Sequence, residues 1–114
     1  MSDESSVNMG LLDFIGGKIQ QASEESNRAY IEAEFWDARR ICRELQRTSS
    51  IVKSSGYAKA LKEKCEDMSS YELKTTFEEA YRDSNIKACN VMMPIMEDKD
   101  LAYRDDNGRI RKNY

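Results

Sequence analysis

Apolar residues recur along most of this chain at the three- and four-residue spacing of one helix face. Over "EFWDARRICRELQR", residues 34–47, a helix read at about 100° per residue places Phe35, Ala38, Cys42 and Leu45 within about 40° of Ile31. This stripe predicts one helix from Ser23 to Arg47, the longest of the chain. The stretch "TSSIVKSSG" then breaks the pattern with polar, β-branched and glycine residues. A second helix, "YAKALKEKCEDM", carries Tyr57, Leu61, Cys65 and Met68 on one face. In the third, Ser69 followed three residues later by Glu72 matches a capping box, and Leu73, Phe77, Ala80 and Tyr81 form the apolar side. Ser84 is placed to cap a fourth, "NIKACNVMMPIMEDK", with Ile86, Cys89, Met92, Met93 and Met96 facing inward. Pro94 is expected to kink or shorten it, since proline removes a hydrogen bond and crowds the preceding turn. The turn signal Asn107-Gly108, between Tyr103 and Ile110, predicts a short C-terminal β-hairpin or an irregular tail.

Residues 1–8 carry no periodic signal and are expected to be disordered, leaving 9–114 as a single helical domain. In "MGLLDFIGGKI" the helically spaced Leu11, Leu12, Ile15 and Ile19 are interrupted by Gly16 and Gly17, each costing about 1 kcal/mol inside a helix. Continued straight into the next helix, these side chains would face away from the Ile31 stripe. Either the chain bends at the glycine pair so that both faces reach one core, or a continuous helix keeps two apolar sides and can self-associate through residues 9–19. Membrane-surface binding by this segment has little support, because Lys18 is the one basic residue near it.

Composition narrows the class further. A chain of 114 residues with one proline and five glycines lacks the turn punctuation of an all-β domain, so the expected fold is mainly all-α: a small bundle of about four helices, the first the longest. No apolar run is long enough to cross a bilayer, and "MSDESSVN" is acidic and polar where a secretory signal is basic and then apolar, which predicts a cytoplasmic protein. Cys42, Cys65 and Cys89 form no C-x-x-C pair and are odd in number, so they read as reduced thiols filling core space, with a reactive thiol as the alternative. The chain has no histidine, which removes the commonest general base and every Ser-His or Cys-His dyad. No catalytic residue, metal or cofactor is expected: Glu32, Glu34 and Asp37, or Glu79 and Asp83, bring carboxylates together without the Glu-x-x-His partner of a di-metal bundle. Met92, Met93 and Met96 read as core filler, or as an adaptable binding surface.

Charge comes in blocks. Residues 1–38 carry a net −6, residues 39–64 +6, residues 65–100 −5 and residues 101–114 +2. Alternating signs let antiparallel helices neutralise one another. The basic block can also be a binding face. On the helical reading Trp36 lies about 140° from Ile31, in the arc of Arg40, Arg43 and Arg47. Arginines suit bidentate contact to carboxylates or phosphates, and tryptophan suits an interface anchor. With a pI near 5.1 and no RNP, zinc-finger or P-loop signature, the favoured partner is a protein with an acidic and partly apolar surface, and nucleic acid bound by segment 39–64 is the alternative. A third reading buries Trp36 beneath Leu11 and Ile15, ringed by arginine stems. The expected function is that of a small non-enzymatic protein of bacterial or phage style, an adaptor, inhibitor or immunity-type protein that acts by binding another protein.

Overall fold

The computed structural model describes residues 22–114. Helical backbone over residues 22–33 (α1) is followed by α2 (Ala38–Arg47), α3 (Ile51–Glu66), α4 (Ser70–Arg82) and α5 (Ile86–Asp98). Two strands, β1 (Ala102–Arg104) and β2 (Ile110–Lys112), close the chain. The protein is therefore a mostly helical bundle ending in a short hairpin, as the pattern predicts. The expectations for residues 1–8 and 9–19, including the Gly16-Gly17 bend, the self-association and the cover over Trp36, lie outside the described residues.

The helix expected from Ser23 to Arg47 is two helices. After Ala33 the backbone tightens into i→i+3 bonds, Phe35 N to the Glu32 carbonyl at 3.2 Å and Trp36 N to the Ala33 carbonyl at 3.0 Å. Asp37 then turns extended and caps α2, its Oδ1 accepting from Arg40 N at 2.8 Å. The stripe led by Ile31 is divided as a result. Ala29 and Ala33 of α1 and Ile41, Cys42 and Leu45 of α2 are buried, while Ile31 and Phe35 face solvent.

The expected break over 48–56 is shorter than predicted. Only Thr48, Ser49 and Ser50 interrupt the helices, Ser50 Oγ accepts from Lys53 N at 3.1 Å, and α3 starts at Ile51. Gly56 lies inside this helix, where α1 crosses it. A Cβ there would press on the Ser26 carbonyl oxygen and come within 2.8 Å of Tyr30 N and 2.9 Å of the Ala29 Cβ. Glycine is at this position because two backbones meet, not because a helix ends.

In α4 the capping box forms as read, with Glu72 N donating to Ser69 Oγ at 3.1 Å and Ser69 N to Glu72 Oε1 at 3.2 Å. The cap of α5 is Asn85 rather than Ser84, which takes a left-handed turn at φ 55°. The buried Asn85 amide works at both ends: Oδ1 accepts from Ala88 N at 3.2 Å, and Nδ2 donates to the Cys42 carbonyl of α2 at 2.8 Å. Ile86, expected inside, is exposed, and α5 runs on through Pro94, which faces solvent. Ile41, Leu45, Leu61, Leu73, Phe77, Met92 and Met96 form the centre of the core, with Cys42, Cys65 and Cys89 buried as free thiols.

The hairpin pairs Ala102 with Lys112, Tyr103 with Arg111 and Arg104 with Ile110. Its loop is organised by Asp105, whose Oδ1 accepts from the amides of Asn107 and Arg109, each at 2.9 Å, while Gly108 takes φ 79°. Two strands alone are marginal, and this pair is tied to the helices. Tyr114 Oη donates to Glu78 Oε2 of α4 at 2.6 Å, Lys112 Nζ lies 2.8 Å from the same oxygen, and Arg104 Nη2 donates to Asn90 Oδ1 of α5 at 2.9 Å. No helix among the described residues is long and apolar enough to cross a membrane.

Candidate functional site

The corner between α1 and α2 is short, tethered by hydrogen bonds and apolar at its tip. The carbonyls freed where α1 ends need other partners, and Lys64 of α3 supplies one, its Nζ donating to the Glu34 carbonyl at 3.0 Å. One turn earlier, Tyr30 Oη lies 2.6 Å from Glu63 Oε1 and 2.9 Å from Glu34 Oε2, and Lys59 Nζ sits 4.5 Å from the Tyr30 ring centroid. The hydrogen bond to Glu63, reinforced by Glu34, pushes the phenol above its ordinary value and keeps it a proton donor. These contacts fasten the end of α1 to α3.

Trp36 is half-buried against the core and tilted on Tyr57 of α3, with ring centroids 5.4 Å apart. The Arg40 guanidinium carbon lies 4.3 Å from the Trp36 ring centroid. The indole thus has neighbours on α3 and α2 that hold the corner against the bundle. Beside it Phe35 is 87% exposed and Ile31 48% exposed.

Of the residues the sequence singles out, the structure brings Trp36 and Arg40 into contact and places Arg43 and Arg47 further along the outer face of α2. At about 100° per residue, Arg40, Arg43 and Arg47 fall within about 60° of one another, opposite buried Ile41, Cys42 and Leu45. Arg47 is tied to Glu44 of its own helix at 3.3 Å. Arg43 lines a small cleft over Cys42 together with Arg39, whose Nε pairs with Glu79 of α4 at 2.9 Å. The charge blocks therefore do meet across helices, in part: Arg39 with Glu79 here, and Lys112 with Glu78 at the hairpin.

Sequence reasoning missed Phe35, assigning it to the core. The signal was Asp37, a side chain suited to capping three residues before Arg40. Read as a helix start, it ends the preceding helix and frees Phe35 from the stripe.

Burial pushes the thiols of Cys42 and Cys65 up to about 12 and raises that of Cys89, so all three are protonated and inert at neutral pH. Among the described residues no group of three or more His, Cys, Asp or Glu side chains is arranged to hold a metal ion. Compared with known proteins, the chain matches no family model, and no curated protein or solved structure is significantly similar to it.

Proposed function

We propose that this protein acts without catalysis, by binding another protein through the α1–α2 corner. Phe35 is the side chain it inserts, and Arg40, Arg43 and Arg47 provide the cationic flank. The observation that carries the reading is Phe35 itself, a large apolar side chain 87% exposed at the tip of a tethered turn. Leaving a phenylalanine in water forfeits about 1.5–3 kcal/mol of burial free energy, which a partner's pocket recovers. The turn is already ordered by Asp37, Lys64 and the Trp36–Tyr57 pair, so little is lost in fixing it on binding. A convex tip fits a concave partner. The partner expected is a protein with an apolar pocket and an acidic rim, and the role that of a small inhibitor, adaptor or immunity-type protein.

Trp36 supports this corner more than it contacts the partner. Nucleic acid bound by segment 39–64 fits less well. Outside the face of Arg40, Arg43 and Arg47, three of the other five bases in that block, Arg39, Lys59 and Lys64, are held by Glu79, Tyr30 and the Glu34 carbonyl. Three buried, unpaired thiols suit a reducing compartment such as the cytoplasm.

Phe35→Ser is the direct test. Unfolding stability is expected to stay within about 0.5 kcal/mol of the parent, as for other exposed substitutions. The partner captured by the parent from host extract is expected to be lost, with affinity in a purified pair reduced about 30-fold or more, the scale of a hot spot. A partner retained equally by Phe35→Ser and by the triple change of Arg40, Arg43 and Arg47 to Glu places the binding face elsewhere.

A further inference from the structure

A second apolar surface lies away from the Phe35 corner. Leu45 of α2, Ile51 and Ala58 of α3 and Val91 of α5 line a groove where these three helices meet. Ile51 at its edge is 86% exposed. One cation stands in its wall: Lys87 Nζ donates to the Thr48 carbonyl at 2.8 Å and approaches Ser54 Oγ at 3.4 Å. An ammonium has three donor hydrogens, and both of these acceptors are uncharged, so among the described residues no carboxylate neutralises Lys87. The groove is thus shaped for an aliphatic strip carrying one acid.

We infer that this groove is the seat of the chain's own segment "LLDFI", residues 11–15, with Asp13 facing Lys87. The segment supplies Leu11, Leu12, Phe14 and Ile15 around a single carboxylate, which is the complement of what the groove offers. Position supports the same pairing. Ile51 and Ser55 line this groove and also a neighbouring depression that includes Ala22 and Ser26 of α1. The first described residue, Ala22, therefore lies one α3 helix width from the groove, about 10 Å. The seven residues from Ile15 to Ala22 span up to about 23 Å when extended, and Gly16-Gly17 allows the chain to reverse on the way. Tethering raises the effective concentration of the segment at the groove to about the millimolar range, so a shallow apolar site is sufficient. The groove and the Phe35 corner are independent, and either assignment can fail without the other.

Amide hydrogen exchange on the full-length protein tests the docking. In the parent, residues 11–15 are expected to exchange at least ten-fold more slowly than an unstructured chain of the same sequence. Lys87→Glu is expected to abolish that protection, and Asp13→Lys added to Lys87→Glu to restore it. Because Lys87 also bonds Thr48 and Ser54, Ile51→Asp serves as the second variant: the side chain is exposed and the fold is retained, yet a carboxylate at the groove edge repels Asp13. Unstructured rates in the parent overturn the inference, as does protection that survives both Lys87→Glu and Ile51→Asp. Protection that rises with protein concentration assigns the groove to a second copy instead and overturns it equally.

Discussion

Adding one methyl group at Gly56 sets two effects against each other. Alanine is the better helix former by about 1 kcal/mol. Its Cβ, however, would meet the Ser26 carbonyl and the Tyr30 amide, backbone atoms that cannot rotate aside, and overpacking of this kind costs about 1–3 kcal/mol. Steric pressure wins. Gly56→Ala is expected to lower stability in urea unfolding by about 1–2 kcal/mol, and a variant as stable as the parent would show that α1 and α3 are not in such close contact. Sequence alone could not foresee this, because a glycine that ends a helix and one that admits a neighbouring backbone are the same letter. Trp36 posed a related difficulty. Its distance from the apolar stripe was legible, while the Tyr57 ring that receives it belongs to α3, 21 residues further along the chain, and leaves no local trace.

At the scale of elements, the readable signals were pairs of residues that act on each other locally. Ser69 with Glu72, and Asn107 with Gly108, announced a helix start and a turn, and both formed. The break at Glu34–Asp37 was hidden for a geometric reason. Four residues advance a helix by about 400°, which returns the phase to within about 40°, so a four-residue interruption leaves the apolar stripe in register. The hairpin offers a pH test of what docks it. The hydrogen bonds from Lys112 and Tyr114 hold the Glu78 carboxyl below its ordinary value. A depressed carboxylate stabilises the fold above the unfolded value near 4.5 and loses that contribution as pH falls through the folded value. The Tyr114 ring resonances are therefore expected to move toward those of a released tail below about pH 4.5, and Glu78→Gln to remove that acid step. Asp105 is also held low, by the Arg109 amide first, but it titrates within the turn, so the docking readout must be Tyr114. An acid step in Tyr114 that persists in Glu78→Gln would refute the assignment.

Across the whole molecule, helices α2, α3 and α5 each place a cysteine in the shared core, and the all-helical composition and absence of punctuation had indicated such a bundle. What the sequence withheld was how distant pieces meet. The Asn85 amide is the clearest case, reaching the Cys42 carbonyl across 43 positions of chain, and its consequence is one of timing. Neighbouring helices such as α4 and α5 close short loops, whereas α2 and α5 meet only once the intervening chain has been gathered, and loop closure becomes dearer with length. The Asn85–Cys42 bond is therefore expected to form in the last stage of folding and to be among the first to break. Asn85→Ser keeps an oxygen to cap α5 and removes the amide that reaches Cys42, at a cost of about 1–2 kcal/mol. In stopped-flow experiments nearly all of that loss is expected on the unfolding arm, about five- to thirty-fold faster, with refolding almost unchanged. Equal slowing of refolding would mean that α2 and α5 find each other early, and that the bundle assembles from its most distant contact inward.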